Sequence, residues 1–334
     1  MDKEVLARLK GNKSLSDVAP TEFISTGCYA LNRIMTGDYS KGMPVGGIIQ
    51  LRGNSSTGKT LFATTFLGAA QKAGWYTKML DAENTFSPEF AKKLGIEADT
   101  LLYSTPKSLE EAFTDIESTI LQIRAEDKNT PILFVIDSVA VLPSAEEMSR
   151  DSVSNISNTD GARRALVFGS LLRKFNHTLK DSRATLVVIN QIRSKINVMY
   201  GNPDTTAAGG KALEFYLSTD LHCVSNKTSD VVRGADKAPT GIVGKVQAKK
   251  NKLGIPFQEC DFLVEFDKGL DPFYGLESWL AADGLIDISS SGKRSVGDIG
   301  FRKNTLHELL FNSKESNPEL DKVRSMFGLK QDKA

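Results

Sequence analysis

Apolar runs bounded by polar turns recur along most of this 334-residue chain, and their rhythm switches between strand-like and helical. Short β-rich runs predict strands at Ile48–Leu51, Tyr76–Leu80, Leu101–Ser104, Ile132–Ile136 and Leu186–Ile189. Between them the spacing predicts helices over 59–73, 88–94, 108–125 and 161–180. Leu109, Ala112, Ile116, Ile120 and Ile123 fall on one helical face, and Ser108-Leu-Glu-Glu111 before them reads as a capping box. Strands alternating with helices of this length predict an α/β fold with a mainly parallel sheet covered on both faces. Strand-like runs at 241–248 and 259–266 would extend one edge.

The two ends break this rhythm. Residues 2–10 can form one short amphipathic helix through Val5, Leu6 and Leu9, followed by a polar stretch from Gly11 to Asp17. That is too little apolar surface to fold alone, so the arm must dock on its own core or on a neighbouring copy. After Gly269 the pattern turns to short helices at Leu276–Ala282, Thr305–Phe311 and Glu319–Phe327, broken by Gly292, Gly297 and Gly300. The expected organisation is an arm at 1–22, a core at 23–269 and a small carboxy-terminal α/β domain at 270–334.

Composition adds mostly exclusions. Hydrophobic content of 40% and charged content of 25% are those of an ordinary globular protein. With a formal net charge of +1, any polyanion-binding surface must be local. The three cysteines, Cys28, Cys223 and Cys260, have no metal-ligand spacing and read as reduced, partly buried thiols of a cytoplasmic protein. The amino terminus lacks the apolar centre of a secretory signal, and no apolar run approaches the roughly 18 residues of a membrane span. Neither membrane nor secretion is expected.

The chemistry sits at the ends of the predicted strands. Gly53-Asn54-Ser55-Ser56-Thr57-Gly58-Lys59-Thr60 is a complete G-x-x-x-x-G-K-[ST] phosphate loop between a strand and a helix. Its backbone N–H groups can surround a polyphosphate, Lys59 reaches the terminal phosphates, and the Thr60 hydroxyl can hold Mg²⁺. The strand Ile132–Ile136 runs into Asp137, a carboxylate placed to hold the same Mg²⁺, often through water. Leu80-Asp81-Ala-Glu83 ends a further strand; Glu83 is the candidate general base, with Asp81 the weaker one. Gln191, at the end of the strand through Ile189, could touch the γ-phosphate.

Beyond Gln191 the pattern dissolves into a Gly-, Pro- and Thr-rich loop from Ile196 to Gly210. Arg193 and Lys195 at its base, with Met199 and Tyr200 able to wedge or stack, suit a single-stranded nucleic acid; a substrate lid is the rival reading. Basic residues cluster at Arg163, Arg164, Arg173 and Lys174, again at Lys245, Lys249, Lys250 and Lys252, and again at Lys293, Arg294, Arg302 and Lys303. Each cluster alone reads as a solvated face; three in one nucleotide-binding chain favour a polyanion partner.

Together these residues resemble the RecA recombinase family, of the bacterial or bacteriophage type and with a phage-encoded, UvsX-like relative included. The resemblance covers nearly the whole chain. It is carried by Phe23-Ile-Ser-Thr-Gly27, Gly42-Met-Pro, Gly53–Thr60, Asp81-Ala-Glu83, Val135-Ile-Asp-Ser-Val-Ala140 and Asn190-Gln-Ile-Arg193. Its most specific segment is Met199-Tyr-Gly-Asn-Pro-Asp-Thr-Thr206 followed by Gly209-Gly210; Lys250-Asn-Lys252 with Pro256-Phe257 adds to it. The chain end, Met326-Phe-Gly-Leu-Lys-Gln-Asp-Lys-Ala334, lacks the strongly acidic tail of cellular relatives.

The resemblance implies a RecA-like ATPase core and a DNA-dependent ATP hydrolase that forms helical filaments on single-stranded DNA and exchanges strands with a homologous duplex. It makes Glu83 the catalytic glutamate and Gln191 the γ-phosphate sensor. Lys250 and Lys252 would reach the ATP of a neighbouring subunit. Residues 146–160 and 194–210 would be the two DNA-binding loops, and the 293–303 cluster would gather duplex DNA. ATP and Mg²⁺ are the implied cofactors. Single-stranded DNA, homologous duplex and further copies of the chain are the implied partners, with a single-strand binding protein and a mediator as candidate accessories. The implied location is the bacterial cytoplasm, that of the host for a phage protein.

The chain also departs from the family. Ser87 and Phe90 stand where many relatives carry Asp and Tyr beside the adenine, so Phe90 can stack but base selectivity is open. Glu214 and Asp220 replace basic residues, Ala207-Ala208 includes an extra residue, and the first loop is matched by position only. A hexameric helicase on the same core, and a regulator that binds ATP without hydrolysing it, remain the alternatives.

Overall fold

The computed structural model describes residues 22–149, 160–192, 210–224, 231–303 and 305–327. The arm helix expected at 2–10 lies outside the described residues. The centre of the molecule is a ten-stranded sheet. Its parallel part comprises β3 (Ile48–Gly53), β4 (Tyr76–Asp81), β5 (Leu101–Ser104), β6 (Ile132–Asp137), β7 (Ala184–Gln191) and β8 (Thr219–Val224), in the order β8-β3-β7-β6-β4-β5. Four antiparallel strands extend the β8 side: β9 (Val231–Arg233), β10 (Pro239–Asn251), β11 (Glu259–Glu265) and β12 (Gly269–Leu270). A small hairpin-like pair, β1 (Phe23–Ile24) with β2 (Met43–Pro44), stands apart from it.

The central strands are buried on both faces because helices cover both, and β6 and β7 are apolar along most of their length. β6 is buried along its whole length. One face packs against α1 (Tyr29–Thr36) and α2 (Lys59–Lys72), around Phe62, Phe66, Leu51, Val135 and Phe262. The other packs against α4 (Leu109–Glu126), α6 (Asp160–Asp181) and α7 (Gly210–Tyr216), around Phe113, Phe134, Phe168, Phe175 and Leu213. Two shorter helices, α3 (Pro88–Lys93) and α5 (Ala145–Met148), sit beyond the strand ends. Ser108 caps α4 as its motif predicts, accepting from the Glu111 N–H at 3.1 Å.

The carboxy-terminal part has the expected short helices and adds three short strands to them. α8 (Leu276–Ala282) and α9 (Pro318–Met326) form, but an antiparallel meander lies between them: β13 (Asp287–Ile288), β14 (Arg294–Val296) and β15 (Ile299–Phe301). The helix expected at Thr305–Phe311 forms as well, with π geometry over Glu308–Asn312. This part has its own apolar cluster, around Leu276, Leu280, Val296, Leu309, Leu320 and Val323, with Tyr39 of the core inserted into it. Arg33 on α1 meets Asp283 through two bonds of 2.7 Å, and the Tyr39 hydroxyl donates to the same carboxylate at 2.7 Å.

Candidate nucleotide site

All six parallel strands point their carboxy ends the same way, so the residues following them converge on one crevice, where an open α/β sheet binds its ligand. β3 delivers the phosphate loop, β7 delivers Gln191 beside it, and β6 and β4 follow with Asp137 and the turn holding Glu83. Five of the residues singled out in the sequence therefore meet: Lys59, Thr60, Asp137, Glu83 and Gln191.

Two glycines make the loop possible. A Cβ on Gly53 would lie 2.4 Å from the Cys223 carbonyl oxygen and 2.8 Å from Thr57 Oγ1, so only glycine fits against β8. Gly58 precedes α2 with φ of 83°, the left-handed region that costs other residues energy. Asn54, Ser55 and Ser56 are exposed along the outside of the turn, while Thr57 is buried and donates to the Asn54 carbonyl at 3.0 Å. The loop leaves the α2 amino terminus facing the crevice, with its N–H groups and positive dipole end.

Lys59 lies over this loop, its Nζ donating to the Asn54 carbonyl at 2.6 Å. Burial pushes its pKa down, so the ammonium lacks an adequate counter-charge. Thr60 Oγ1 donates to Asp137 Oδ2 at 2.6 Å. Burial drives the Asp137 carboxyl up to about 6, against the lowering effect of the Thr60 bond, and the nearby Glu83 and Asp81 add to the rise. A buried ammonium short of an anion beside a buried carboxylate short of a cation is the donor set that a Mg²⁺–triphosphate fits. Thr60 and Asp137 would hold the metal, and Lys59 with the loop N–H groups the phosphates.

Among the described residues, Glu83 is held on one oxygen. Its Oε1 accepts from Ser138 Oγ at 2.7 Å and from Gln191 Nε2 at 3.2 Å. Its backbone N–H donates to the Asp137 carbonyl at 3.3 Å and to Asp81 Oδ1 at 3.2 Å. Asp81, the weaker candidate base, builds this turn: its carboxylate also accepts from the Phe86 N–H at 2.8 Å and the Tyr103 hydroxyl at 3.0 Å. Ser138 and Tyr103 were not singled out in the sequence, because the partner of each is remote along the chain. Phe90 stands half-exposed on α3, whose cap is Ser87 Oγ, accepting from the Phe90 N–H.

Other residues singled out lie elsewhere. Lys250 Nζ donates to the Glu214 carbonyl, and Lys252 Nζ to the Phe215 carbonyl at 2.9 Å, so both lysines cap the carboxy end of α7. Lys252 is level with the start of β3, since its N–H bonds the Ser218 carbonyl and the Ser218 N–H bonds that of Ile48. The phosphate loop of the same chain is about 16 Å further along that strand, at about 3.3 Å per residue.

Arg163 pairs with Glu146 at 2.9 Å, Arg164 approaches Glu147 at 3.6 Å, and Lys174 pairs with Glu117 at 3.0 Å. The acids absent between these basic residues in the sequence thus arrive from α5 and α4. Arg173 donates to the Tyr216 hydroxyl at 3.4 Å. Arg294 is bound to Glu277 at 2.8 Å, whereas Lys293, Arg302 and Lys303 are exposed around the meander. Gly210 opens α7; Arg193, Lys195, Met199, Tyr200 and Gly209 lie outside the described residues. Among the described residues no helix is long and apolar enough to cross a membrane. The three cysteines, distant in sequence, are all buried in one core cluster.

The family model described as the RecA N-terminal domain matches residues 2–271. Protein RecA of Thermus aquaticus is 37% identical over 254 residues, covering 75% of this chain and 69% of its own. Protein RecA of Aquifex aeolicus is 35% identical over 311 residues, 92% of this chain and 85% of its own. Protein RecA of Clostridioides difficile is 32% identical over 314 residues, 93% and 85% respectively. With the phosphate loop, Asp137, Glu83 and Gln191 meeting in one crevice and a match spanning most of its length, the chain belongs to the RecA family.

Proposed function

We propose that this protein is a DNA-dependent ATP hydrolase and recombinase, forming filaments on single-stranded DNA and exchanging strands with a homologous duplex. The observation that carries this reading is the convergence of Glu83 and Gln191 on the phosphate loop, bonded to each other at 3.2 Å. Lys59 and the loop N–H groups orient the triphosphate. Mg²⁺, held by Thr60 and Asp137, would offset charge on the phosphates and aid departure of the leaving group. Glu83 takes the proton of the attacking water. Gln191 has two partners to choose from: Glu83, or the γ-phosphate that would stand before it. Choosing the phosphate changes the start of the segment that follows, 194–210, which the reading assigns to DNA together with 146–160.

The same reading makes assembly part of the active site. Lys250 and Lys252 lie too far from their own phosphate loop to serve it, which supports a role toward the nucleotide of a neighbour, as with an arginine finger supplied in trans. Residues 1–22 would dock on the adjacent subunit, and 270–334 with Lys293, Arg302 and Lys303 would collect duplex DNA through phosphate contacts. Sequence is then read by base pairing between strands, so stacking and phosphate contacts suffice for the protein. A single-strand binding protein and a mediator are the expected accessories, in a bacterial cytoplasm.

The deciding experiment measures ATP turnover with and without single-stranded DNA, alongside homologous strand exchange and electron microscopy of the assemblies. DNA-stimulated turnover, strand exchange and open filaments are expected. Closed rings that unwind duplex without homology would make the chain a helicase, and unchanged turnover in Glu83→Gln would remove the assigned base.

A further inference from the structure

The dipeptide Asp137-Ser138 serves two parts of the site at once. Asp137 presents its carboxylate to Thr60, while its carbonyl accepts the N–H groups of Ala82 at 2.7 Å and Glu83 at 3.3 Å. Ser138, with no solvent exposure, reaches the other way and donates its hydroxyl to Glu83 Oε1 at 2.7 Å. Its own backbone is fixed, because its carbonyl accepts from the Val141 N–H at 3.3 Å and the next N–H, of Val139, donates to the Ile189 carbonyl on β7 at 3.1 Å.

We infer that Ser138 is a positioning residue for hydrolysis: its hydroxyl fixes the Glu83 carboxylate by Oε1 and leaves Oε2 to receive the proton of the attacking water. The inference rests on the reading of Glu83 as the base. Of the two donors on Oε1, Gln191 is the one with a second destination, the γ-phosphate. When it turns there, Ser138 is the remaining side-chain donor on that oxygen among the described residues, and without it the carboxylate is free to rotate about its last bond. A carboxylate rotating between orientations spends only part of its time in line with the water, and the loss falls on the chemical step rather than on nucleotide binding.

The test compares Ser138→Ala, Ser138→Thr, Glu83→Gln and the double variant Glu83→Gln/Ser138→Ala in the full chain. ATP turnover on single-stranded DNA, KM for MgATP, affinity for a fluorescent non-hydrolysable ATP analogue and the melting temperature are measured for each. Ser138→Ala should lower kcat about tenfold, with KM, analogue affinity and melting temperature unchanged. Ser138→Thr, which keeps the hydroxyl, should recover most of the rate. The double variant should be no slower than Glu83→Gln alone, since the serine acts through that carboxylate.

Three results would each overturn the inference: turnover of Ser138→Ala within twofold of the parent, a parallel loss of analogue binding or melting temperature, or a further loss in the double variant. If Ser138→Thr melts as the parent does yet stays as slow as Ser138→Ala, the hydroxyl is not the cause. Near-parental turnover of Glu83→Gln is a separate failure, that of the base assignment itself.

Discussion

Asp137→Asn should stabilise the metal-free protein at neutral pH, although it removes a residue the site needs. Burial raises the Asp137 carboxyl from the ordinary 3.8 to about 6, and Glu83 and Asp81 push the same way. A group whose folded-state pKa is raised favours folding fully below its unfolded pKa, and that contribution is lost as pH rises through the folded value. For Asp137 the window therefore runs from about 3.8 to about 6, and the difference corresponds to about 3 kcal/mol of stability forgone above it. Asparagine keeps an oxygen that can accept from Thr60 and carries no charge, so the variant should not show this loss. Urea denaturation in EDTA at pH 4, 5, 6, 7 and 8 measures it directly. Parent and variant should be close at pH 4 and diverge through pH 6, the variant ending more stable by an amount of that order. MgATP should then raise the melting temperature of the parent more than that of the variant, because a cation relieves a buried charge that only the parent has. Parallel stability curves across the pH range, or a parent more stable than the variant at pH 8, would refute the reasoning.

Three further outcomes follow from the geometry. Gly53→Ala puts a methyl 2.4 Å from the Cys223 carbonyl; it should cost about 1–3 kcal/mol and displace the loop, seen as nucleotide affinity at least about tenfold weaker in titration calorimetry. Asp283→Ala leaves Arg33 and Tyr39 without their shared acceptor, which should cost about 2 kcal/mol by thermal denaturation. Because the Arg33 guanidinium holds the Asp283 carboxyl below its usual value, that contribution is present above pH 3.8 and fades as pH falls toward the depressed value, so parent and variant should converge in acid. Lys250→Ala with Lys252→Ala removes both side-chain caps of α7 and should cost about 1 kcal/mol of stability. Nucleotide binding to the isolated chain should survive while DNA-stimulated turnover is lost; equal loss of nucleotide binding would contradict a role in trans.

The core was legible in the sequence for a physical reason. Parallel strands are buried on both faces, so β6 and β7 appear as nearly continuous apolar runs and β3 as a shorter one interrupted by Gln50 and Arg52, and their ends are marked by the polar residues that enter the crevice. Lys59, Asp137, Glu83 and Gln191 could be found by looking just beyond each run, because a parallel sheet gathers those positions without further information. Strand β8 escaped the same reading. Thr219-Asp-Leu-His-Cys-Val224 looks too polar for a central strand, and its polarity is explained only by partners on other strands. Helix α1 lacks a side-chain cap, and the strands of the meander run to two or three residues each, too short to show a period. The Ser138–Glu83 and Tyr103–Asp81 contacts link residues 55 and 22 positions apart, which no local spacing encodes.

The polarity of β8 bears on the site as well. Asp220 accepts from Gln50 Nε2 at 2.8 Å and pairs with Arg52 at 2.9 Å, while Asn190 Nδ2 donates to Gln50 Oε1 at 3.0 Å. These groups lie on the face covered by α6 and α7, one strand position or a few before Gly53 and Gln191. Burial raises the Asp220 carboxyl, with Arg52 and Gln50 opposing the rise, so the network holds a charge where apolar side chains could pack instead. A buried ion pair of this kind is weak evidence for stability, since apolar replacements can serve as well or better. What apolar residues would not supply is register. A one-residue slip of β8 against β3 turns Asp220 to the opposite face, among Leu51 and Phe262, away from Arg52 and Gln50. The Asn190–Gln50 bond ties β7 to β3, one residue before the sensor and three before the phosphate loop. The polar layer thereby fixes the offset between Gly53 and Gln191, and with it the distance over which Gln191 must choose between Glu83 and a phosphate.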